Sequence, residues 1–312
     1  MNAAGRRLIV ILGPTASGKS ALAIALAEKL CGEIVCCDST QVYRDFNIGT
    51  GKIPPEQQRG IPHHLTDLVD PGEIFTAGEY RRRAVETLTE ITVRGKLPIL
   101  TAGTGLYLRA LLEGLGNAPA RSETLRERLR QDETLKGPGY LHRILRRLDR
   151  RAASSISPGD KQKLIRAIEI CLLSGKPVSE VHRDGRAGLE GYAVLKIGLA
   201  PQRAALYARI DQRVTNMIES GWVNEVRDLM KMGIPAAAKP FTFLGYSQLR
   251  EHTQGAKTLE QAVRETQQAT RQYAKRQITW FRREANVHWL KTFGDDGGVL
   301  ETALELVRRP QE

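Results

Sequence analysis

Short apolar runs alternate with helix-forming segments over roughly the first 115 residues of the chain. The runs predicted to be buried strands are residues 7–12, 33–37 and 97–101. The segments predicted to be helices are residues 19–30, residues 76–94 and a stretch that begins near Leu106. Strands that alternate with helices in this way are typical of a parallel α/β sheet.

The pattern changes after residue 118. Residues 119–186 are charged and helical in character and contain no convincing strand. The strand pattern then returns at residues 194–199 and 287–290, with predicted helices at 203–232 and 258–285. We therefore expect an α/β core made of residues 1–118 and 187–312, interrupted by a helical insertion domain at 119–186.

The composition is that of a globular protein and excludes several other classes. Among 312 residues, 41% are hydrophobic and 26% are charged, and no apolar run is long enough to span a membrane. The apolar run that follows Arg6 and Arg7 is too short for a signal peptide. The four cysteines lack metal-site spacing and predict buried thiols in a reducing cytoplasm; they are Cys31, Cys36, Cys37 and Cys171.

Positive charge is concentrated in two segments of this chain, whose formal net charge is +12. Residues 119–186 carry 16 basic and 9 acidic side chains, and residues 264–283 carry 6 and 1. Such surfaces suit a polyanionic partner, although a solvated helix face explains the first segment equally well. In the second segment Tyr273, Trp280 and Phe281 lie among the basic residues, a mixture that favours phosphate contacts combined with base stacking.

A phosphate-binding loop lies between the first predicted strand and helix. Its residues fit the pattern G-x-x-x-x-G-K-[ST]: Gly13, Pro14, Thr15, Ala16, Ser17, Gly18, Lys19 and Ser20. Backbone N–H groups and the Lys19 ammonium bind phosphate oxygens in such loops, and the Ser20 hydroxyl can bind Mg²⁺. The loop does not show which phosphorylated ligand is held.

Two polar residues follow the second and third predicted strands. Asp38 comes directly after residues 33–37, and Thr104 follows residues 97–101. Because ligands of open α/β sheets lie beyond the carboxyl ends of the strands, both should face the phosphate loop. Asp38 is a candidate general base or Mg²⁺ ligand; a cap or turn role is the alternative for both residues.

Six ordered segments resemble the bacterial tRNA dimethylallyltransferases. They are GPTASGKS at 13–20, DSTQVYRDFNIGTGK at 38–52, IPHHL at 61–65, AGTGLYLRALLEGL at 102–115, SPGDKQKLIRAIEI at 157–170 and KRQITWFR at 275–282. The resemblance implies a P-loop NTPase-like core. It also implies transfer of a dimethylallyl group from dimethylallyl diphosphate to the exocyclic amine of the adenine 3′-adjacent to the anticodon.

The resemblance assigns roles to residues of the predicted site. The loop 13–20, with Mg²⁺ at Ser20, would hold the leaving diphosphate, so that fixed donors stabilise the charge that develops there. Asp38 would be the general base and Thr104 would orient the reacting groups. Arg209 and Arg213, four residues apart, would neutralise the diphosphate; a solvated helix face is equally compatible with their spacing.

The expected partner is the anticodon stem-loop of tRNA, with the target adenine extruded from the stack. By resemblance, the contacting residues are Asp38, Ser39, Thr40, Gln41, Arg126, Gln162, Lys163, Leu164, Ile165, Arg166, Lys275, Arg276, Gln277, Ile278, Thr279, Trp280, Phe281 and Arg282. We expect no membrane association, and a monomer that works in the cytoplasm.

The chain departs from the family pattern in a few places. Thr242 and Ser247 flank a Gly-Tyr pair that usually carries basic neighbours, so a phosphate contact is not expected there. Lys163 replaces an arginine and keeps the charge but not the bidentate geometry. His63 and His64 have no cysteine or histidine partners nearby and predict a structural role, and no zinc is expected.

Three other functions account for part of the sequence. A P-loop kinase of small molecules would use the loop 13–20 but neither basic segment. An adenylate isopentenyltransferase acting on free AMP or ATP would use the core but not residues 275–282. A nucleic-acid-binding protein that hydrolyses a nucleotide would leave Asp38 and Thr104 unexplained.

Overall fold

The computed structural model describes residues 6–116, 118–181 and 187–309 and divides the chain into two compact units. The first unit combines Met1–Leu111 with Gly191–Glu312, and the second is Leu112–Glu190. The predicted insertion 119–186 falls within the second unit, and its last five residues, 182–186, lie outside the described residues.

The first unit is built on a parallel sheet. Its strands are β1 (Arg6–Leu12), β2 (Gly32–Cys37), β3 (His63–His64), β4 (Leu97–Ala102), β5 (Tyr192–Leu199) and β6 (Val287–Leu290). They lie in the order β3-β2-β4-β1-β5-β6, and every pairing is parallel. The predicted α/β class with a P-loop NTPase-like parallel core is confirmed.

Helices surround this sheet in the first unit. They are α1 (Lys19–Leu30), α2 (Ala77–Val93), α3 (Gly105–Leu112), α9 (Arg203–Glu219), α10 (Trp222–Lys231), α11 (Tyr246–Thr253), α12 (Leu259–Phe281) and α13 (Val299–Arg308). Two short 3₁₀ helices add to them, Pro55–Gln57 and Lys239–Thr242.

The central strands are apolar on both faces because helices cover both sides of the sheet. All six residues of β2 are buried, as are the last five of β1. One core cluster joins Ile9 and Ile11 of β1 to Leu22 of α1 and Ala303 of α13. The outer strands β3 and β6 are shorter, as is common at sheet edges.

The hydrophobic pattern predicted most of these elements. The predicted helix 19–30 and strand 287–290 are confirmed, and the remaining predicted strands differ at their ends by one or two residues. The predicted helix 203–232 is two helices, because Gly221 adopts φ 97° between α9 and α10. The pattern missed β3, α11 and α13.

Two other expectations concern the cysteines and the membrane. Cys36, Cys37 and Cys171 are buried thiols as predicted, but Cys31 is exposed, which corrects the prediction for that residue. Cys31 caps the end of α1 in the left-handed conformation (φ 51°), where the chain turns at the surface. Within the described ranges, no helix has the length and apolarity that crossing a membrane requires.

Five helices lie between residues 123 and 181 in the described part of the second unit. Its helices are α4 (Glu123–Lys136), α5 (Tyr140–Leu148), α6 (Arg150–Ser155), α7 (Lys161–Ser174) and α8 (Val178–Val181). They share a core of their own, which includes Leu129 of α4, Leu145 of α5 and Ile168 of α7. Asp149 caps α6 through Ala152 N–H at 2.9 Å and also accepts a hydrogen bond from Ser179 N–H.

A buried carboxylate organises this helical unit. Glu169 of α7 is 0% exposed and accepts two hydrogen bonds from Arg126, both at 2.8 Å. It also accepts from Arg166 Nη1 and from Ser122 N–H. Burial alone would raise the pKa of Glu169, but these donors outweigh it and lower the pKa to about 2.

We expect Glu169→Gln to lower the free energy of unfolding by about 3–5 kcal/mol, because two guanidinium groups then lose their buried counter-charge. In the wild type, the contribution of the ionised Glu169 carboxylate to the free energy of unfolding is fully present above the pKa of the unfolded carboxyl, near 4.5. It is lost as the pH falls toward about 2, the pKa in the folded protein. Urea unfolding at pH 7 and below pH 4 measures both effects. Glu180→Gln, at an exposed position of α8, is the matched control; equal stability losses in the two variants would contradict this role for Glu169.

Candidate active site

The loop between β1 and α1 forms an anion-binding cradle. Gly18 and the non-glycine residue Ala16 both have positive φ, 86° and 61°, so the backbone curves around a common centre. Lys19 begins α1 and donates from Nζ to Pro14 O at 2.8 Å. Ser17 Oγ is buried and has no hydrogen-bond partner among the residues described. The loop therefore leaves donors available for an anion at a helix N-terminus.

The Lys19 ammonium lies in an environment that is short of counter-charge. Burial lowers its pKa from 10.5 to about 8. The Asp38 carboxylate raises that pKa and the Arg213 guanidinium lowers it, both through space. Two cations facing one carboxylate leave an excess positive charge, which a bound anion would neutralise.

Asp38 and Thr104 meet at the carboxyl edge of the sheet, as their positions predicted. Asp38 Oδ1 accepts hydrogen bonds from Thr40 N–H at 2.8 Å and from the Thr40 hydroxyl at 2.7 Å. Thr104 Oγ1 accepts from Ser39 N–H at 2.9 Å and lies 3.2 Å from Ser39 Oγ. These bonds fix the side chains of both strand ends.

The second carboxylate oxygen of Asp38 has different surroundings. A Cβ placed on Gly103 would lie 2.6 Å from Asp38 Oδ2, so a side chain there would displace the carboxylate. Among the described residues no hydrogen bond reaches Oδ2, whereas Oδ1 is held by Thr40. Asp38 thus combines a fixed oxygen with an oxygen that is available to accept a proton.

Helix α12 connects the phosphate loop to the end of β4. Gln277 accepts from Thr15 N–H at 2.8 Å and donates to Gly103 O at 2.8 Å. It is 6% exposed. Tyr273 also points its hydroxyl at Gly103 O, 3.4 Å away, and burial raises the pKa of that hydroxyl. Gln277, predicted to contact tRNA, therefore serves here to hold two parts of the site together.

The two predicted arginines both lie on α9 at the site, but they have different partners. Arg213 is desolvated, which lowers its pKa, and it is attracted by Asp38. Arg209 forms a bidentate pair with Asp295, with N···O distances of 2.7 and 2.6 Å, and its guanidinium lies 4.7 Å from the Phe293 ring. Arg213 is thus available to an anion, whereas Arg209 is held by a carboxylate that no sequence pattern indicated.

The segment after Asp38 is held by partly buried polar contacts. Gln41 donates to Thr50 O and Gly51 O at 3.1 and 3.3 Å. Glu225 of α10 accepts from Ile48 N–H at 2.8 Å and from the Tyr246 hydroxyl at 2.6 Å. Sequence reasoning missed Glu225, because its partners lie 177 and 21 residues away along the chain.

These elements enclose a cavity of about 810 Å³. It is lined by the phosphate loop, by Asp38, Ser39, Thr40 and Gln41, and by residues of α9 and α12. Its walls also include Thr242, Phe243 and Leu244, the segment where the family pattern is broken. The site is therefore a pocket within the first unit whose lining includes both charged and apolar side chains.

The remaining predicted tRNA-contacting residues of the first unit lie at the end of α12. Lys275, Arg276, Thr279 and Arg282 are exposed. Ile278 is partly buried against a core cluster, and Phe281 is buried. Trp280 is half-buried, with the Arg109 guanidinium 4.8 Å from its ring centre. Four polar residues of the segment are thus exposed, whereas Gln277 and Phe281 are buried.

In the second unit, the predicted contacts divide similarly. Gln162 and Lys163 are exposed on α7. Leu164 and Ile165 are in the core of the unit, at 0% and 6% exposure, and cannot present side chains to a partner in this structure. Arg126 and Arg166 are bound to Glu169. Their positions predict surface contacts for Gln162 and Lys163 and a structural contribution from the others.

The two histidines have the structural role that the sequence predicted. They form β3, where His63 Nδ1 lies 2.8 Å from Ile61 O and His64 Nε2 lies 2.7 Å from Glu33. Arg94 also forms a salt bridge with Glu33, with an N···O distance of 2.7 Å. Within the described residues, no three histidine, cysteine or carboxylate side chains cluster as metal ligands.

The chain is similar to known proteins over most of its length. The model of the IPP transferase family matches residues 41–284. A tRNA dimethylallyltransferase of Solibacter usitatus is 53% identical over 302 residues, covering 97% of this chain and 98% of the relative. One of Koribacter versatilis is 54% identical over 302 residues, covering 96% and 98%.

Solved structures are also similar to this chain over nearly its whole length. A tRNA isopentenylpyrophosphate transferase of Staphylococcus epidermidis is 37% identical and matches with a TM-score of 0.68, covering 97% of this chain and 98% of its own. A eukaryotic dimethylallyltransferase acting on tRNA is 27% identical and matches with a TM-score of 0.82, covering 98% and 81%. On sequence and structure together, the chain belongs to the IPP transferase family.

Proposed function

We propose that this chain transfers the dimethylallyl group of dimethylallyl diphosphate to the exocyclic amine of the adenine 3′-adjacent to the anticodon of tRNA, with release of diphosphate. One observation carries the proposal. The anion cradle of Ser17 and Lys19 shares a cavity with the free Oδ2 side of Asp38. A leaving diphosphate and an amine that must lose a proton need those two groups side by side.

The reaction follows from this arrangement. The amine nitrogen of adenine forms a bond to the allylic carbon, and the bond from that carbon to the diphosphate oxygen breaks with its electron pair. Negative charge then grows on the diphosphate, where the loop N–H groups, Lys19 and Arg213 stabilise it. Asp38 accepts the proton of the amine, and Thr104 and Thr40 keep the strand ends in place.

Magnesium is part of the proposal. Ser20 lines the cavity beside Lys19 and can offer its hydroxyl to the ion together with oxygens of the diphosphate. The few protein ligands fit Mg²⁺, which keeps several waters and binds through substrate phosphates. When bound, the ion would neutralise charge on the leaving diphosphate.

Recognition of tRNA would use the exposed basic residues. Lys275 and Arg276 are exposed on α12 and Arg282 is exposed directly after it, and Arg276 also lines the cavity. The adenine has to leave its stacked loop to reach Asp38, as in other enzymes that modify a base. As a further part of this proposal, the chain acts as a monomer in the cytoplasm, where its tRNA substrate is.

A labelling experiment tests the function. The protein is incubated with radiolabelled dimethylallyl diphosphate, Mg²⁺, unmodified tRNA, AMP and ATP, and the labelled product is identified. We expect label in tRNA, and none when the target adenine is replaced by inosine, which lacks the amine. Label in AMP or ATP would instead select the free-nucleotide enzyme, and γ-phosphate loss without label would select a kinase or a nucleotide hydrolase. The similarity to known proteins does not favour these alternatives.

Reversing the charge of Lys275 and Arg276, both to Glu, should weaken tRNA binding and flatten its salt dependence. The slope of log affinity against log salt should fall by roughly one unit for each phosphate that the variant no longer neutralises. Filter binding between about 50 and 200 mM salt measures the slope.

The matched control reverses Lys29 and Lys96, which are exposed at the opposite end of the strands, near the end of α1 and the start of β4. That variant should keep the wild-type slope. Equal slopes in the two variants would show that Lys275 and Arg276 do not face the nucleic acid.

A further inference from the structure

The face of α9 toward the cavity changes from charged to apolar along the helix. Arg209, Arg213 and Met217 are spaced four residues apart and all line the cavity. Arg209 lies at the phosphate-loop end, because Oδ1 of its partner Asp295 is 2.7 Å from where a Cβ on Gly18 would lie. Met217 is one helical turn beyond Arg213, about 6 Å farther along the helix axis.

A second wall of the cavity is the backbone of residues 49–51, which lies against these side chains of α9. A Cβ on Gly51 would lie 2.0 Å from Arg213 Nη2 and 3.6 Å from Met217 Cε. A Cβ on Gly49 would lie 2.3 Å from the indole of Trp222. Gly51 therefore lies against both the Arg213 guanidinium and the Met217 methyl, and Gly49 packs against the Trp222 ring.

This wall is fixed rather than adaptable. Gln41 holds the carbonyls of Thr50 and Gly51, and the Tyr246 hydroxyl accepts from Gly49 N–H at 3.1 Å. Trp222 is 2% exposed and is also packed against Gly245, where a Cβ would lie 1.9 Å from its ring. Because neither the loop nor the indole can withdraw, Met217 is the flexible member of this end of the pocket.

We propose that Met217, beside the wall that Trp222 supports at Gly49, closes the far end of the prenyl pocket and limits the donor to a five-carbon chain. The inference rests on the proposed function, since it takes the diphosphate to be held by Lys19 and Arg213. The chain attached to that diphosphate has to extend away from the charges, toward the next turn of α9. A five-carbon group fits within one helical turn, whereas a ten-carbon group meets the thioether.

The test compares dimethylallyl diphosphate with geranyl diphosphate, its ten-carbon homologue, as donors to tRNA. The wild type should strongly prefer the five-carbon donor. Met217→Ala removes the end of the pocket, and the ratio of kcat/KM for geranyl to that for dimethylallyl diphosphate should rise by about tenfold or more. Met232→Ala is the matched control, because Met232 follows α10, is 59% exposed and does not line the cavity.

Three outcomes would contradict the proposed role of Met217. A ratio within about twofold of the wild type in a Met217→Ala protein with an unchanged melting temperature would overturn the assignment. So would an equal rise in Met232→Ala, or a wild type that uses both donors equally well. A wild type that transfers neither group to tRNA would instead refute the proposed function, and the inference would fail with it.

Discussion

Replacing Asp38 with asparagine should lower the rate of prenyl transfer in a single turnover by about two to four orders of magnitude. The amide keeps an oxygen for the two hydrogen bonds from Thr40, so the strand end should hold its shape. What the variant removes is the carboxylate oxygen that is free of Thr40 and accepts a proton. Affinity for tRNA should change by less than a few-fold, because the variant removes one charge from a much larger surface.

The control for Asp38 is Thr40→Val, which removes the hydroxyl donor to Oδ1 and keeps the carboxylate. If proton transfer is the role of Asp38, Thr40→Val should slow the reaction far less than Asp38→Asn. Rapid-quench measurement at saturating donor and tRNA separates the chemical step from binding. An Asp38→Asn enzyme with nearly the wild-type rate would exclude the carboxylate as the base.

Local sequence signals were enough to predict the parts of the site that lie in consecutive residues. The loop 13–20 follows a buried strand and opens a helix, and both elements appear where the apolar pattern places them. Asp38 and Thr104 follow strands, and parallel strands bring their carboxyl ends together, so their proximity could also be predicted. The core and the helical insertion followed from the change of pattern at residue 119.

Residues that act through distant contacts could not be found in this way. Glu225 supports the segment 47–48 from a helix whose pattern is that of an ordinary surface helix. Gln277 lies in a basic stretch that suggested an RNA contact, yet its amide joins Thr15 to Gly103. The pairing of Arg209 with Asp295 spans 86 residues. No periodicity reports such partners, because they depend on how α9, α10 and α12 pack.

A resemblance in a motif does not make every residue of the motif a contact with the partner. In the segment 162–166, Leu164 and Ile165 follow the helical spacing of the unit core, and the structure buries them. Gln162 and Lys163 lie on the opposite face and are exposed. Helical periodicity within a shared motif thus separates residues that build the fold from those that can meet a partner.

The second large effect is expected at Lys19, where Lys19→Met should weaken diphosphate binding roughly ten- to a hundredfold. The methionine keeps most of the side-chain length but loses the ammonium, and a charged hydrogen bond in a desolvated site is worth about 1.5–3 kcal/mol. Calorimetric titration of inorganic diphosphate in the presence of Mg²⁺ measures the change. Lys29→Met, at the exposed end of the same helix, should bind like the wild type.

The pH dependence identifies the ammonium itself. Burial lowers the pKa of Lys19 to about 8, so the free protein loses this charge as the pH rises through 8 and should bind diphosphate progressively less well above it. Lys19→Met has no such charge to lose. Its affinity should therefore lack the alkaline decline that the wild type and Lys29→Met share. Because the diphosphate titrates identically in all three experiments, a decline that persists unchanged in Lys19→Met would assign it to another group and remove Lys19 from the cradle.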